Sequence, residues 1–84
     1  MKRILAITSP VDYNNKILVY DGKKLIEELK CESGSLTHFI KYLSNKHLVD
    51  EINIEGAPSY VRQFKDELEN MQSEFNKTPT IRII

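Results

Sequence analysis

The chain has 84 residues, with 12 basic and 12 acidic side chains and a single cysteine. This length fits one domain with a modest core and excludes a cofactor domain beside a substrate domain. The balanced charge provides no overall field for nucleic acid, and one cysteine excludes an intrachain disulfide or a four-cysteine zinc site. We therefore expect a single cytoplasmic domain, residues 1–84, that needs no cofactor and binds neither nucleic acid nor membranes.

The first predicted element is a central strand, β1, at Arg3–Thr8. Its residues are apolar on both alternating faces, which is typical of a strand covered at least partly on both sides. The apolar run ends at Thr8, far short of a membrane span or the core of a signal peptide. Turn-forming residues follow over 9–15, which we interpret as a loop.

Asp21-Gly22 separates two short alternating runs, Lys16–Tyr20 (β2) and Lys24–Cys31 (β3). Asp-Gly tolerates the positive φ angles of a type I′ turn, so this sequence predicts a tight hairpin. Counting outward from the turn gives the expected register. The predicted facing pairs are Leu18 with Leu25, Ile17 with Ile26, and Lys16 with Glu27.

Residues 23–30 also allow a short helix instead of β3. They contain good helix formers, and Leu25, Ile26 and Leu29 share one helical face. A helix here would change the element order to β-β-α-α-β-α-β.

Apolar residues at helical spacing predict two helices. The first, α1, begins after a Ser35 cap and carries a stripe from Leu36 to Leu48. The second, α2, begins at Pro58 and carries a stripe from Val61 to Phe75. A strand β4 is predicted between them at Glu51–Glu55, and a strand β5 after them at Thr80–Ile84.

The predicted fold is a two-layer α/β domain with a mixed sheet in the order β1-β2-β3-α1-β4-α2-β5. Right-handed crossovers place both helices on one face if the strand order is 3-2-1-4-5. Apolar residues of β1 and β2 must then lie on the face without helices, and such exposed area usually indicates a partner. The candidate interface residues are Leu5, Ile7, Leu18 and Tyr20.

A second candidate site lies at the carboxyl ends of β1 and β4, where ligands bind in open α/β sheets. We expect free amides at the start of α2 to face this crevice, where they would favour an anion. The candidate ligand-binding residues are Ser9, Asp12, Glu55, Gly56 and Ser59. Turn chemistry alone also explains these residue types.

His38 and His47 lack the i, i+4 spacing of a helical metal pair, so we expect them at the surface or at a helix end.

The element order resembles the core of the ribonuclease H-like superfamily, a meander of three strands followed by α-β-α-β. Nucleases of that family carry an Asp in the first strand and a second acid at the end of the fourth, which together hold the catalytic metals. Here Thr8 or Ser9 stands at the first position and Glu55 at the second. One carboxylate does not replace a two-metal clamp, so the resemblance implies a non-catalytic member.

From these observations we expect a small non-enzymatic protein-binding domain that associates through an open sheet face or edge. Its partner is a second copy, giving a homo-oligomer, or another protein; an accessory or inhibitory protein of a mobile element is one example. Two alternatives stay open. One is a reduced Mg²⁺-dependent nuclease that uses Asp12 and Glu55, and the other is a sensor of a small ligand or anion at the β1/β4 crevice.

Overall fold

The computed structural model describes residues 2–8, 15–31, 36–56 and 58–84. Within these ranges the chain forms an α/β fold whose elements follow the predicted order, and the segment for which a helix was the alternative forms a strand, Lys24–Cys31, preceded by a turn at Lys23. None of the helices in these ranges is both long and apolar enough to cross a membrane. The bounds are β1 Arg3–Thr8, β2 Asn15–Asp21, β3 Lys24–Cys31, α1 Leu36–His47, β4 Glu51–Glu55, α2 Pro58–Asn70 and β5 Thr80–Ile83.

The sheet is mixed, with strand order β3-β2-β1-β4-β5, as predicted. β2 is antiparallel to both of its neighbours, whereas β4 is parallel to β1 and β5. Both helices contribute to one hydrophobic core against a single sheet face. From the strands this core takes Leu5, Ile7, Ile17, Val19, Ile52, Ile54 and Ile81, and from the helices Leu36, Ile40, Leu43, Val61, Phe64 and Leu68.

The hairpin differs from its predicted register. The closing pair is Asp21 with Lys24, so Gly22 and Lys23 form the loop. Gly22 has φ of 65° and Lys23 has no positive φ, which fits a type II′ turn, with glycine first, rather than type I′. A bulge between Val19 and Tyr20 then shifts the register again.

Both shifts together make the predicted facing pairs wrong. Tyr20 lies opposite Leu25, and Val19 opposite Glu27. Beyond the bulge, Leu18 faces Glu28 and Ile17 faces Leu29, while Lys16 faces Lys30.

α2 is shorter than its apolar stripe, because it ends at Asn70 and a 3-10 turn follows at Gln72–Glu74. The tighter turn still brings Phe75 into the core, where it is 6% exposed. The Asn45 side chain of α1 holds this segment. Its Nδ2 donates to the Glu74 carbonyl oxygen at 3.1 Å, and its Oδ1 accepts from the Asn76 amide at 2.8 Å.

Leu48, which the sequence places on the apolar stripe of α1, lies beyond the end of that helix. Its φ is 51°, in the left-handed region, and its side chain is 51% exposed. The Val49 amide donates to the Ser44 carbonyl oxygen at 3.1 Å, which is the long hydrogen bond of a Schellman motif. Leu48 therefore turns the chain from α1 toward β4 and adds little to the core.

Candidate interaction surface

The sheet face opposite the helices carries a continuous group of apolar side chains. The strand register places Tyr20 next to Ile4 on one side and Leu25 on the other. In the adjacent row, Leu18 lies next to Ala6. Leu25 is 46% exposed and the others are partly exposed. We call this group, Ile4, Ala6, Leu18, Tyr20 and Leu25, the apolar patch.

The structure places two of the four predicted interface residues on the open face and the other two in the core. Leu18 and Tyr20 lie on the open face within the apolar patch. Leu5 and Ile7 instead point under the helices, where they are 0% and 1% exposed, so they belong to the core. Because side chains alternate along a strand, Ile4 and Ala6 are the β1 residues that share a face with Leu18 and Tyr20.

An ion-pair cluster borders the apolar patch on the side of β4 and β5. Glu51 is in register with Ile4, and its side chain is buried although neither α1 nor α2 covers this face. Lys2 Nζ lies 2.8 Å from Glu51 Oε2, and Arg82 Nε lies 3.3 Å from Oε1. The hydrogen bond from Lys2, together with the positive charge of Arg82, holds the pKa of Glu51 below its ordinary value against the opposing effect of burial.

A second ion pair borders the patch on the side of β3. Lys16 Nζ lies 3.5 Å from Glu28 Oε1, and both side chains are exposed. Glu28 is directly opposite Leu18 in the register. The apolar patch is therefore framed on two sides by charges of both signs.

The predicted crevice at the carboxyl ends of β1 and β4 falls only partly within the described residues. Thr8 and Glu55 are register partners and both are exposed, with Gly56 directly after Glu55. Ser9 and Asp12 lie outside the described residues, and for Ser59 only the helical backbone is described. Across the ranges that the structure covers, no three His, Cys, Asp or Glu side chains group closely enough to hold a metal ion.

A polar network that the sequence analysis missed joins the edge strand β3 to the end of α1. Glu27 Oε1 lies 2.6 Å from His47 Nε2 and 3.0 Å from Lys46 Nζ. These contacts, first the hydrogen bond with His47 and then that from Lys46, lower the pKa of Glu27. His47 is the last residue of α1, so its predicted helix-end position is confirmed.

The same network continues to the amino ends of the parallel strands. Arg3 Nη1 donates to the His47 carbonyl oxygen at 2.9 Å, and the Arg3 amide donates to Asp50 Oδ2 at 2.9 Å. Lys77 also pairs with Asp50, and this contact is the first cause of the lowered pKa of Asp50, followed by the Arg3 amide. These bonds tie α1, β1 and the segment before β5 together, which is a structural role.

No protein-family model matches the chain, and no curated protein is significantly similar to it. The geometry of the chain itself therefore carries the functional proposal.

Proposed function

We propose that the chain is a small non-enzymatic protein-binding domain, working in the cytoplasm, that holds a partner protein against the open face of its sheet. The apolar patch carries this proposal, because it is continuous across three strands and neither helix covers it. Contiguous apolar area rimmed by polar side chains is typical of protein interaction sites. The patch also includes Tyr20, and tyrosine is enriched in the residues that dominate binding energy at interfaces.

The charges around the patch favour a protein over nucleic acid as the partner. Glu51 is paired with Lys2 and Arg82, and Glu28 with Lys16, so both borders carry acidic and basic groups. A surface for a polyanion needs a basic stripe, whereas a mixed rim suits the polar rim of a protein interface.

The proposal includes a distant relationship to the ribonuclease H-like superfamily, as a non-catalytic member. The strand order β3-β2-β1-β4-β5 with β2 antiparallel supports it at the level of fold alone. Thr8 beside Glu55 supports the non-catalytic part, because the family's metal site needs a carboxylate on each of these two strands.

The test is partner capture from the native cell with the wild-type chain and two variants. Tyr20→Glu introduces a charge into the apolar patch and is expected to reduce capture of the partner at least tenfold. Tyr42→Glu is the matched control, because Tyr42 is 52% exposed on α1, away from the open face. It is expected to capture the partner as the wild type does.

Circular dichroism and thermal unfolding check that both variants fold. The same partner captured equally by wild type and Tyr20→Glu would contradict the proposal, as would a wild-type chain that captures nothing.

A further inference from the structure

The two edges of the sheet differ in how they are protected against pairing with another strand. The β3 edge carries a bulge and four charged residues, Lys24, Glu27, Glu28 and Lys30, and Glu27 is tied to α1. Bulges and charged side chains are the usual means by which edge strands avoid added strands. β5 has a single charged residue, Arg82, and regular pairing with β4. The β5 edge is therefore the less protected one.

The backbone of β5 leaves hydrogen-bonding groups directed away from the sheet. The Thr80 amide donates to the Asp50 carbonyl oxygen at 3.0 Å, and the Ile84 amide to that of Ile54 at 2.8 Å. Alternate residues of a parallel strand bond to the same neighbour, so the even-numbered amides face β4. The N–H and C=O groups of Ile81 and Ile83 consequently point outward, where β5 is the last strand in the sheet.

The side chains at this edge also leave apolar area uncovered. Ile83 is in register with Ile54, so it lies on the helix side of the sheet, yet it is 41% exposed. Ile84 is 72% exposed. A further strand beside β5 would continue the apolar layer under α2 and cover Ile83.

We propose that β5 of a second copy of this chain occupies this edge, antiparallel to β5 and related to it by a two-fold axis at Arg82. In this register, Ile81 of each copy lies opposite Ile83 of the other. Such a pair exchanges both of its N–H···O=C bonds, so the outward groups of both residues are satisfied in both copies. Main-chain pairing of this kind is an established mode of recognition at open sheet edges.

A second copy fits this edge better than an unrelated strand because the edge is self-complementary. The backbone N–H and C=O groups of Ile81 and Ile83 point outward, and the two side chains lie on the same face. The donors of each copy can therefore pair with the acceptors of the other. The two Arg82 side chains face each other on the opposite side, and each is bound by Glu51 of its own chain. The contact uses the same surface in both copies, so the assembly closes as a dimer.

The test follows individual backbone amides by hydrogen exchange as the protein concentration is raised. The amides of Ile81 and Ile83 are expected to exchange at least tenfold more slowly in the concentrated, dimeric sample. The amides of Thr80 and Ile84 serve as internal controls, because both already donate to carbonyl oxygens on the β4 side, those of Asp50 and Ile54. Unchanged exchange at Ile81 and Ile83 in a dimeric sample overturns the proposal.

Two substitutions test the edge by sedimentation equilibrium. Ile83→Pro removes one outward N–H and keeps the bonds to β4, and Ile83→Lys places a charge where natural edges carry one. Both are expected to weaken self-association at least tenfold while the secondary structure by circular dichroism is unchanged. Tyr42→Glu is expected to leave the dimer intact.

The edge contact and the open-face interaction can fail separately. Tyr20→Glu is expected to leave the dimer intact, and Ile83→Lys to leave partner capture intact. A wild-type chain that is monomeric at millimolar concentration, or that grows into species larger than a dimer, overturns the edge proposal alone.

Discussion

Glu51 is a carboxylate on an uncovered sheet face that is nevertheless only 7% exposed. The long side chains of Lys2 and Arg82 cover it and supply its partners, while both of them remain more than half exposed. Lysine and arginine commonly lay their apolar stems over a surface in this way and keep their charge in water. The pairing with Lys2 comes first among the causes of the lowered pKa of Glu51.

The lowered pKa of Glu51 gives a defined pH dependence of stability. A carboxylate with a depressed pKa in the folded state contributes fully above its ordinary value of 4.5. The contribution is lost as the pH falls from 4.5 through the folded-state pKa, because the unfolded chain binds the proton first. Glu51→Gln is expected to lower the free energy of unfolding near pH 7 by about 1 kcal/mol. The variant should also lose less stability than the wild type as the pH falls below 4.5. Urea unfolding at a series of pH values measures both effects.

The matched control for this change is Glu28→Gln, the same substitution on the same face at an exposed ion pair. We expect it to change stability by less than about 0.5 kcal/mol. If the free energy of unfolding of Glu51→Gln depends on pH below 4.5 as that of the wild type does, Glu51 does not contribute to stability in this way.

At the scale of elements, the end of α1 depends on a residue poorly suited to its backbone conformation. A non-glycine residue in the left-handed region costs about 1 kcal/mol or more, because its Cβ crowds the backbone. Leu48 occupies this position with half of its side chain in solvent, so its packing does not offset the cost.

Leu48→Gly is therefore expected to raise the free energy of unfolding by about 0.5–1 kcal/mol, after allowance for the greater freedom of glycine in the unfolded chain. The midpoint of urea unfolding, compared with that of the wild type, measures this gain in stability. Leu48→Ala keeps the Cβ and is expected to give no gain. A Gly variant no more stable than the Ala variant would rule out backbone strain at this position.

The sequence predicted elements well wherever alternation was regular. β1 and β4 have the predicted bounds, and the strand order is the one for which right-handed crossovers were expected to place both helices on one face. The hairpin register was missed because Asp-Gly does not determine which two residues form the loop. The bulge beside Val19 left no signal in the residue pattern.

The candidate surface was predictable only in part. The sequence does not show which alternating residues of β1 face the helices, and it does not show which residues distant in sequence come together. β1 is apolar on both faces, so the sequence alone does not tell whether Leu5 and Ile7 or Ile4 and Ala6 lie under the helices. The partners of Glu51 come from the two ends of the chain, and only the sheet register brings Lys2 and Arg82 together.

The whole molecule depends on one core shared by both layers. Leu68 of α2 is fully buried in it, together with Leu5 and Ile52 of the sheet. Leu68→Ala is expected to cost about 2–5 kcal/mol through lost burial and the remaining cavity. Because a native domain has a total stability of about 5–15 kcal/mol, this change removes a large share of it.

Thermal and urea unfolding of Leu68→Ala, followed by both far- and near-UV circular dichroism, measure that loss. Glu69→Ala, at the neighbouring exposed position, is the control and is expected to stay within about 0.5 kcal/mol of wild type. A loss below about 1 kcal/mol for Leu68→Ala would mean that α2 is not part of the cooperative core.

The placement of both helices on one side of the sheet has a consequence for binding stoichiometry. A two-fold axis that pairs two β5 strands antiparallel must stand perpendicular to the sheet, so all helices of the pair lie on the same side. The two apolar patches then face the same direction as a bivalent surface. A partner with two matching sites would bind the pair with higher avidity than a single chain, and by linkage it would in turn strengthen the pairing.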